Sequence, residues 1–458
     1  MTGALPVVPA DPVVPVPSDP HPAPTAPHQE VPVPTAATTA APTTSTDVAT
    51  SAVSTETPST AAATAAVPAV LAELAPLVEA RLDRLVDVAA DLHAHPEIRF
   101  TEVHAAERLT AELEDSGFAV QRGFAGLETA FTGRWSAPGS GDDAPTVAVF
   151  LEYDALEEIG HACGHNVIAA CGLGAAQAVK AALEDSPVPA HLLVVGSPGE
   201  EGAAGKVPMI DGGVLDGVDL AMMVHPSGSD AVRGSSLSRV ALDVDFQGVA
   251  SHAAGAPERG RNALDAATLS LTAIGLLRQQ LTDDARVHAI VTDGGQAPNI
   301  IPEHAALRVF VRAGDREHLL SDVVPRVRAC FEGAAIATGT TVGIAENTPA
   351  YFSMRANDAL SDVAEAAYAE LGRELDPVPG LAGSTDMGNV SHVVPSIHPM
   401  ICLARDVSPH TREFAAAAAG PDVPATVRDG AIVLAVTALT AFRDPAVVAA
   451  ARAGFAAG

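Results

Sequence analysis

The sequence predicts an α/β fold with a mostly parallel central sheet and a second, inserted domain. Three apolar runs, at 146–152, 191–196 and 219–224, are separated by helix-like segments. Apolar strands that alternate with helices form parallel sheets covered on both faces. Between 238 and 347 the order becomes strand, helix, strand, strand, helix, strand, which is the split βαβ arrangement. Because a different pattern resumes after Pro349, we expect a main domain in two pieces around this ferredoxin-like unit.

Composition and pattern set the expected domain boundaries. Residues 1–67 are mostly Pro, Ala, Thr, Ser and Val without a persistent period. Such a segment cannot bury enough surface to offset its ordering entropy, so we expect a disordered tail there. Residues 68–237 and 348–445 are expected to form the two parts of the main domain. The inserted domain takes 238–347, and 446–458 are expected to be a C-terminal tail.

In the first part of the main domain, apolar residues from Leu71 to Leu92 recur at spacings of three and four, which predicts an amphipathic helix. Thr101 is a candidate N-cap for a second helix that ends near Glu114. The other elements expected in this part are strands at 117–120, 127–131, 146–152, 191–196 and 219–224 and a helix at 167–183.

In the inserted domain, residues 240–246 alternate between apolar and polar side chains, as in a half-exposed strand. The other elements expected from here on are helices at 262–281, 319–335, 358–371 and 425–442 and strands at 287–292, 306–311 and 340–345.

Charge and cysteine usage exclude several classes of partner. The chain has 26 basic and 56 acidic residues, a net charge of −30, which disfavours nucleic acid and anionic membranes as partners. Its four cysteines form no CxxC pair and suit free thiols in a reducing compartment. No apolar run reaches the ~18 uninterrupted residues of a spanning helix, and no basic and apolar leader is recognisable. We therefore expect a cytoplasmic protein with no membrane partner.

Residues of metal-ligand type follow the three buried strands. Cys163 and His165 come after the first strand, Glu200 and Glu201 after the second, and His225 after the third. Sites in parallel-sheet folds lie beyond the carboxyl ends of the strands, so these side chains are expected to converge. Taken singly, each has a structural alternative: a buried thiol, a solvated acidic turn or a hydrogen-bonded histidine.

A last histidine is needed from late in the chain, and His398 and His410 are both candidates. Five ligands exceed the four that one Zn²⁺ prefers, so they indicate two metal ions with a shared ligand. A thiolate can bridge two ions. Two metals ~3.5–4 Å apart polarise a carbonyl and generate hydroxide near neutral pH. Of two adjacent glutamates, one can bind metal while the other moves the proton.

These motifs resemble the aminoacylase, dipeptidase and carboxypeptidase metallopeptidases of peptidase family M20. Within that family they resemble the amidohydrolase branch with a cysteine ligand, in particular peptidase domain-containing protein 2 type dipeptidases and aminobenzoyl-glutamate hydrolase B subunits. The resemblance runs from about residue 68 to about residue 445. The matching motifs are 92–97 (LHAHPE), 160–166 (GHACGHN), 199–202 (GEEG), 224–226 (VHP), 248–253 (GVASHA), 294–302 (GGQAPNIIP), 383–389 (GSTDMGN) and 410–411 (HT).

The resemblance implies a role for each matching residue. Glu200 would be the general base and acid. Asp154 and His161 would orient ligands, with structural roles equally open. The metal ligands implied are Cys163 as the bridge, with His165, Glu201, His225 and His410, while His398 stays the alternative to His410.

The resemblance also implies that the inserted domain is a lid that mediates a homodimer. His252 of the lid would reach a neighbouring active site and stabilise the tetrahedral oxyanion. Asn299 and Arg312 would bind the substrate carboxylate, and Ser384 and Thr385 would line the pocket. For Arg312 the alternative is a surface arginine at a strand edge.

The expected function is hydrolysis of an amide or peptide bond in a small dipeptide or N-acyl amino acid. Metal-bound water would attack, with Glu200 as general base and two divalent ions (Zn, Mn or Co) as cofactors. Two alternatives stay open. One is a catalytically silent binding subunit of the same fold, and the other is an amidase that uses Cys163 as its nucleophile.

Overall fold

The computed structural model describes residues 60–376 and 383–457. The expected disordered segment therefore lies outside the described residues from 1 to 59, whereas 60–67 are described. The helices are α1 (Ala61–Glu79), α2 (Leu82–Ala94), α3 (Val103–Asp115), α4 (His165–Leu183), α5 (Glu200–Ala203), α6 (Lys206–Asp211), α7 (Ala263–Leu277), α8 (Arg316–His318), α9 (Val324–Thr338), α10 (Asp358–Glu370), α11 (Met387–Ser391), α12 (Arg412–Ala417), α13 (Val423–Arg443) and α14 (Pro445–Ala457).

The strands fall into three sheets of six, four and two strands. They are β1 (Ala119–Phe124), β2 (Leu127–Ser136), β3 (Thr146–Glu152), β4 (His191–Ser197), β5 (Leu220–Met222), β6 (His225–Ser227), β7 (Ser238–Gln247), β8 (Arg286–Asp293), β9 (His304–Ala313), β10 (Thr341–Glu346), β11 (Ser396–Ile397) and β12 (Met400–Cys402).

The main sheet has the strand order β1-β2-β4-β3-β5-β11. Strands β4, β3, β5 and β11 pair in parallel, while β1 and β2 add an antiparallel edge. Along β3, Val149 packs into one apolar cluster and Phe150 into another on the opposite face, because successive strand side chains alternate between faces. Both faces are thus covered, as the apolar run predicts. The predicted α/β fold with a mostly parallel sheet is confirmed.

The second sheet has the order β10-β7-β9-β8, and its neighbouring strands are antiparallel. Helices α7 and α9 pack on it through a separate apolar cluster that includes Phe246, Ile274 and Phe331. The element order matches the predicted β-α-β-β-α-β unit. The helix expected at 319–335 is interrupted, since Leu319–Val323 form a π-helical turn before α9. The boundaries of the domains stay a prediction.

Both ends of the described chain are more ordered than the sequence suggests. Helix α1 begins at Ala61 and buries Ala63 and Val67, so the expected tail is helical from residue 61. The single helix expected between Leu71 and Leu92 is two helices, α1 and α2. Residues 446–458 were expected to be a tail, but the structure has α14 there, with four buried side chains.

Three helices of the described chain, α1, α4 and α13, are long and apolar enough by composition to cross a membrane. The criterion of an uninterrupted apolar run does not identify these three helices, because each carries scattered polar residues. Helices α4 and α13 are mostly buried in the protein, at 83% and 89% of their apolar windows, while α1 is 28% buried. In α4 and α13 the apolar composition therefore fills the core of the main domain.

Candidate metal centre and substrate pocket

A cavity of about 310 Å³ lies where the strand ends of the main sheet meet the second sheet. One part of its wall comes from loops after β3 and β4 and from β6. The other part comes from β7, β9 and the loop before α11. Its polar lining residues include Cys163, Glu200, Glu201, His225, Arg239, Arg312, Tyr351, Ser384, Thr385, His398 and His410.

The loop that carries Cys163 packs closely against Pro226 of β6. Gly164 has a positive φ of 80°, and a Cβ there would lie 2.5 Å from Cγ of Pro226. A side chain at this position would therefore be strained and would clash. This glycine lets Cys163 and His165 sit next to His225, and α4 begins directly at His165.

Asp154 fixes the orientation of two neighbouring groups. Its Oδ1 lies 3.0 Å from Nδ1 of His165, and its Oδ2 accepts a 2.8 Å hydrogen bond from the Glu201 backbone N–H. The His165 ring therefore turns Nε2 toward two carboxylates, 3.5 Å from Glu152 Oε2 and 4.0 Å from Glu201 Oε1. Among the described residues, His165 Nε2 is buried and has no hydrogen-bond partner. Buried polar atoms without partners are rare, and this nitrogen fits a metal ligand.

His225 faces the Cys163 thiol. Its Nε2 lies 3.5 Å from Cys163 Sγ, while its Nδ1 lies 2.7 Å from the Pro226 carbonyl oxygen. Burial, together with the nearby rings of His398 and His165, lowers the pKa of His225 to about 3. The imidazole is thus neutral, which is the form that binds metal.

His410, rather than His398, joins the ligand cluster. His410 Nε2 lies 3.2 Å from Glu201 Oε1. The His410 backbone N–H donates to the Ala162 carbonyl at 2.8 Å, and its φ is +65°. A positive φ is strained for a residue with a side chain and often marks a functional position. His398 also lies in the cavity wall, with Nδ1 3.0 Å from the Met223 carbonyl oxygen and Nε2 buried without a hydrogen-bond partner among the described residues. Within the described parts of the chain, however, it belongs to none of the groups of ligand-type atoms that lie within 4.8 Å of one another.

Two groups of three candidate ligand atoms meet at one sulfur. One group is Cys163, His165 and His225, and the other is Cys163, Glu201 and His410. Within each group all ligand atoms lie within 4.8 Å of one another. A shared thiolate between two sites is the arrangement that the sequence reading expected. The six residues predicted as ligands or base, Cys163, His165, Glu200, Glu201, His225 and His410, are all brought together.

The surroundings of Cys163 do not activate it as a nucleophile on its own. Burial raises the pKa of the Cys163 thiol well above its usual range, and the Glu201 carboxylate raises it further. Reactive cysteines need the opposite environment, with nearby positive charge and partial exposure. A bound cation would reverse this, because a coordinated thiol loses its proton.

Glu200 sits beside the ligands in an acidic, buried environment. Burial and the nearby Glu152 carboxylate raise the pKa of Glu200 well above its usual range. The Tyr351 hydroxyl donates to the Glu200 backbone carbonyl at 2.6 Å and accepts from the Ala204 N–H at 2.8 Å. The backbone of Glu200 is thus fixed from the side of the second sheet.

A buried charge cluster that no motif in the sequence predicts lies behind Glu200. The Lys206 ammonium contacts Glu152 Oε1 and lies 2.6 Å from Asp386 Oδ1. All three side chains are inaccessible to solvent. Burial raises the pKa of Glu152, but the charges of Lys206 and of three nearby histidines together lower it by more, so the net shift is downward. The sequence offers one indication of this role: lysine is rare in the chain, and Lys206 is one of only two.

The predicted substrate residues divide into two groups. Arg312, Ser384 and Thr385 line the cavity, and Arg312 Nη1 donates to Ser384 Oγ at 2.6 Å. His252 and Asn299 lie on exposed loops of the second sheet and do not line the cavity. The structure therefore does not bring these two residues to the metal ligands of the same chain.

Arg239 is a cavity residue that the sequence reading did not consider. It is 7% exposed and stacks on Tyr351, with its guanidinium carbon 4.1 Å from the ring centroid. Its Nε and Nη2 are buried and have no hydrogen-bond partner within residues 60–376 and 383–457. In the sequence it is one arginine of a strand, and only the register of the sheet shows that it faces the cavity.

The chain belongs to the peptidase family M20/M25/M40, whose family model matches residues 133–428. It is 38% identical over 387 residues to a mouse (Mus musculus) protein named Xaa-Arg dipeptidase, an alignment that covers 81% of this chain and 88% of the mouse protein. It is 36% identical over 284 residues to one of the two subunits of the p-aminobenzoyl-glutamate hydrolase of Escherichia coli K12, with 58% of each chain covered. The family expected from the motifs is thus confirmed.

Among solved structures, the YXEP protein of Bacillus subtilis has the same fold, with a TM-score of 0.59 and 22% identity. The match covers 78% of this chain and 98% of that one, and the protein is described as a dinuclear metal binding peptidase from this family. The family membership and the relatives named as hydrolases make this chain a hydrolase that acts on amide bonds.

Proposed function

We propose that the chain hydrolyses the amide bond of a small dipeptide or N-acyl amino acid with the help of two divalent metal ions. The observation that carries this proposal is the pair of ligand groups that share the Cys163 sulfur, with Glu200 next to them. The Bacillus subtilis protein of the same fold, described as dinuclear, supports it. So do relatives that are named for a dipeptide and for an aminobenzoyl amino acid.

The donor atoms fit such ions. One group offers sulfur and two imidazoles, and the other offers sulfur, a carboxylate and an imidazole. This mixture of donors suits Zn²⁺, Mn²⁺ or Co²⁺. His165 Nε2, which is buried without a hydrogen-bond partner in the described parts of the chain, also fits a ligand. Two bound ions would polarise the scissile carbonyl and make a water nucleophilic near neutral pH.

Glu200 moves the proton in this proposal. It accepts a proton from the attacking water and delivers it to the departing amine, which needs a pKa raised toward neutrality. Burial and the surrounding carboxylates shift the pKa of Glu200 in that direction, upward from its usual value. Asp154 keeps His165 and the Glu201 backbone in place. The Lys206 ammonium contacts both Glu152 and Asp386 and so offsets part of the repulsion among the acidic side chains of the site.

A hydrolysis assay before and after chelation tests the metal requirement. Wild-type protein treated with EDTA should lose hydrolysis of a dipeptide and N-acyl amino acid library and regain it with Zn²⁺, Mn²⁺ or Co²⁺. Activity that survives complete metal removal would contradict the proposal and favour the Cys163 nucleophile.

The Glu200→Gln variant tests the proton transfer separately. We expect kcat to fall by about 10²–10⁴-fold, the usual range for general acid–base catalysis, while metal content is unchanged. Glu370→Gln, at an exposed position at the end of α10, is the matched control and should keep wild-type kcat. A Glu200→Gln variant with near-normal kcat would show that the base has been misassigned.

We further propose that the second sheet forms a dimer in which His252 of the partner subunit completes the pocket. Nδ1 of the His252 ring accepts hydrogen bonds from the N–H groups of Ala254 and Gly255. Nε2 makes no hydrogen bond to the described residues, which supports a contact with a neighbouring molecule. His252→Ala should lower kcat without metal loss in a protein that sediments as a dimer. A fully active monomer would contradict this.

A further inference from the structure

The end of the cavity at the second sheet holds two arginines directly opposite each other. Arg239 on β7 and Arg312 on β9 are Cα partners in the antiparallel ladder, so their side chains leave the same face of the sheet. Both line the cavity that contains Cys163 and Glu200. Like charges directly opposite each other destabilise a strand pair. A repulsive pair in a mostly buried position therefore needs a reason other than stability.

Within residues 60–376 and 383–457, no carboxylate forms an ion pair with either guanidinium. Arg239 is held by stacking on Tyr351 and on Phe310, with centroid distances of 4.1 Å and 4.7 Å. Arg312 is held by its hydrogen bond to Ser384 Oγ, which itself donates to the Leu237 carbonyl at 2.6 Å. Both side chains are thus fixed by neutral groups, and their charges are not compensated by the described chain.

The N–H donors of Arg239 that make no hydrogen bond to the described residues are arranged for two-point binding of a carboxylate. Nε and Nη2 lack hydrogen-bond partners in the part of the chain that the structure describes. They lie on one edge of the guanidinium, where they match the two oxygens of one carboxylate. Arg312 is a second guanidinium beside it. Burial and the Arg239 charge lower the pKa of Arg312, which reflects the crowding of positive charge. Two cations of this kind are balanced by two anionic groups.

We propose that Arg239 and Arg312 bind the two carboxylates of an acidic leaving residue. The enzyme then prefers amides of glutamate or aspartate to amides of neutral or basic amino acids. One guanidinium takes the α-carboxylate and the other the side-chain carboxylate. A leaving residue with a cationic side chain brings a third positive charge into the same space. This inference rests on the proposed amide hydrolysis and adds the substrate class to it.

The test compares matched substrates that differ only in the leaving residue: Ala-Glu, Ala-Gln and Ala-Arg, and p-aminobenzoyl-glutamate against p-aminobenzoyl-glutamine. Metal-loaded wild type should show kcat/KM at least about tenfold higher for the glutamate member, since a buried polar site left unpaired rejects a substrate that lacks the matching group. Arg239→Met should bring this ratio close to one, mainly by raising KM for the glutamate substrate. Arg239→Lys, which keeps the charge but loses the fork, should recover part of the ratio.

Arg308→Met is the matched control. Arg308 lies on the same strand, four residues from Arg312, but is exposed and paired with Asp243 at 2.9 Å, so the ratio should not change. Arg312→Met gives a second, independent variant at the pocket. Equal or better hydrolysis of the glutamine or arginine substrates by wild type would overturn the proposal, and so would a ratio unaffected by both pocket variants.

A binding measurement separates this proposal from the proposed function. Calorimetric titration of L-glutamate and L-glutamine, the free leaving residues, needs no turnover. Glutamate should bind more tightly to wild type by at least about tenfold, and Arg239→Met should remove the difference. Arg239-dependent glutamate binding without any hydrolysis would uphold the arginine pair and reject the hydrolase. Hydrolysis without glutamate preference would do the reverse.

Discussion

Two buried cationic sites lie near Glu200, and they differ in whether acidic side chains compensate their positive charge. Lys206 contacts the carboxylates of Glu152 and Asp386. Arg239 and its neighbour Arg312 stack on aromatic rings or bond to a hydroxyl and have no acidic partner in the described parts of the chain. A compensated buried cation belongs to the architecture of the fold. An uncompensated one in a cavity wall is typical of a ligand site, because burying a charge without a partner is unfavourable.

The largest expected effect is on the compensated site. Lys206→Met would leave Glu152 and Asp386 buried without their cation, and removing one partner of a buried pair costs about 3–5 kcal/mol. Urea unfolding should therefore show a large drop in midpoint. Lys180→Met is the matched control, since it is the other lysine and makes one i,i+4 pair with Glu184 near the surface. Equal stability of the two variants would contradict the structural role of Lys206.

A buried carboxyl without a cation should behave in the opposite way to Glu152. Glu102 is inaccessible to solvent, and burial raises its pKa from 4.5 to about 7. The folded state then holds its proton more tightly, so this contribution is fully present below pH 4.5 and is lost as pH rises through 7. Relative to Glu102→Gln, wild type should lose at most about 3 kcal/mol across that window.

Urea unfolding of wild type and Glu102→Gln over the same pH window checks this, because all other titrating groups cancel in the difference. A stability difference that does not change with pH would mean that Glu102 is ionised in the folded protein. Its hydrogen bonds from the Gly199 N–H and the Thr129 hydroxyl would then outweigh its burial.

The smallest effect on stability is expected at the uncompensated site. Arg239→Met removes a cation–π contact worth roughly 0.5–2 kcal/mol but also relieves the repulsion from Arg312. The free energy of unfolding should therefore change by no more than about 1 kcal/mol, far less than for Lys206→Met, although both side chains are buried. A loss as large as that of Lys206→Met would show that Arg239 serves the fold and would remove the contrast between the two sites.

Much of the metal centre could be predicted because it follows a local rule. Cys163, Glu201 and His225 follow successive buried apolar strands, and the carboxyl ends of parallel strands meet at one edge. The order of strands and helices in the inserted domain could also be predicted from the sequence, because the period of the hydrophobic pattern distinguishes strands from helices. His410 was preferred only because of the family resemblance.

The remaining residues depend on contacts that no local pattern encodes. Lys206 meets Asp386 across 180 positions of sequence, and a single lysine does not reveal a partner so distant. Arg239 and Arg312 face each other only because of the strand register, which depends on turns and core packing. The role expected for His252 involves a second copy of the chain, and one chain by itself places that residue on an exposed loop.

The count of bound metal ions tests the central claim most directly. Protein reconstituted with Zn²⁺, Mn²⁺ or Co²⁺ and freed of loose metal should contain about two ions per chain by elemental analysis, because the two ligand groups need one ion each. Cys163→Ala, which removes the shared ligand, should lower that number together with hydrolysis. A wild-type chain that is fully active with one ion or none, or a Cys163→Ala variant that keeps two ions, would contradict the account.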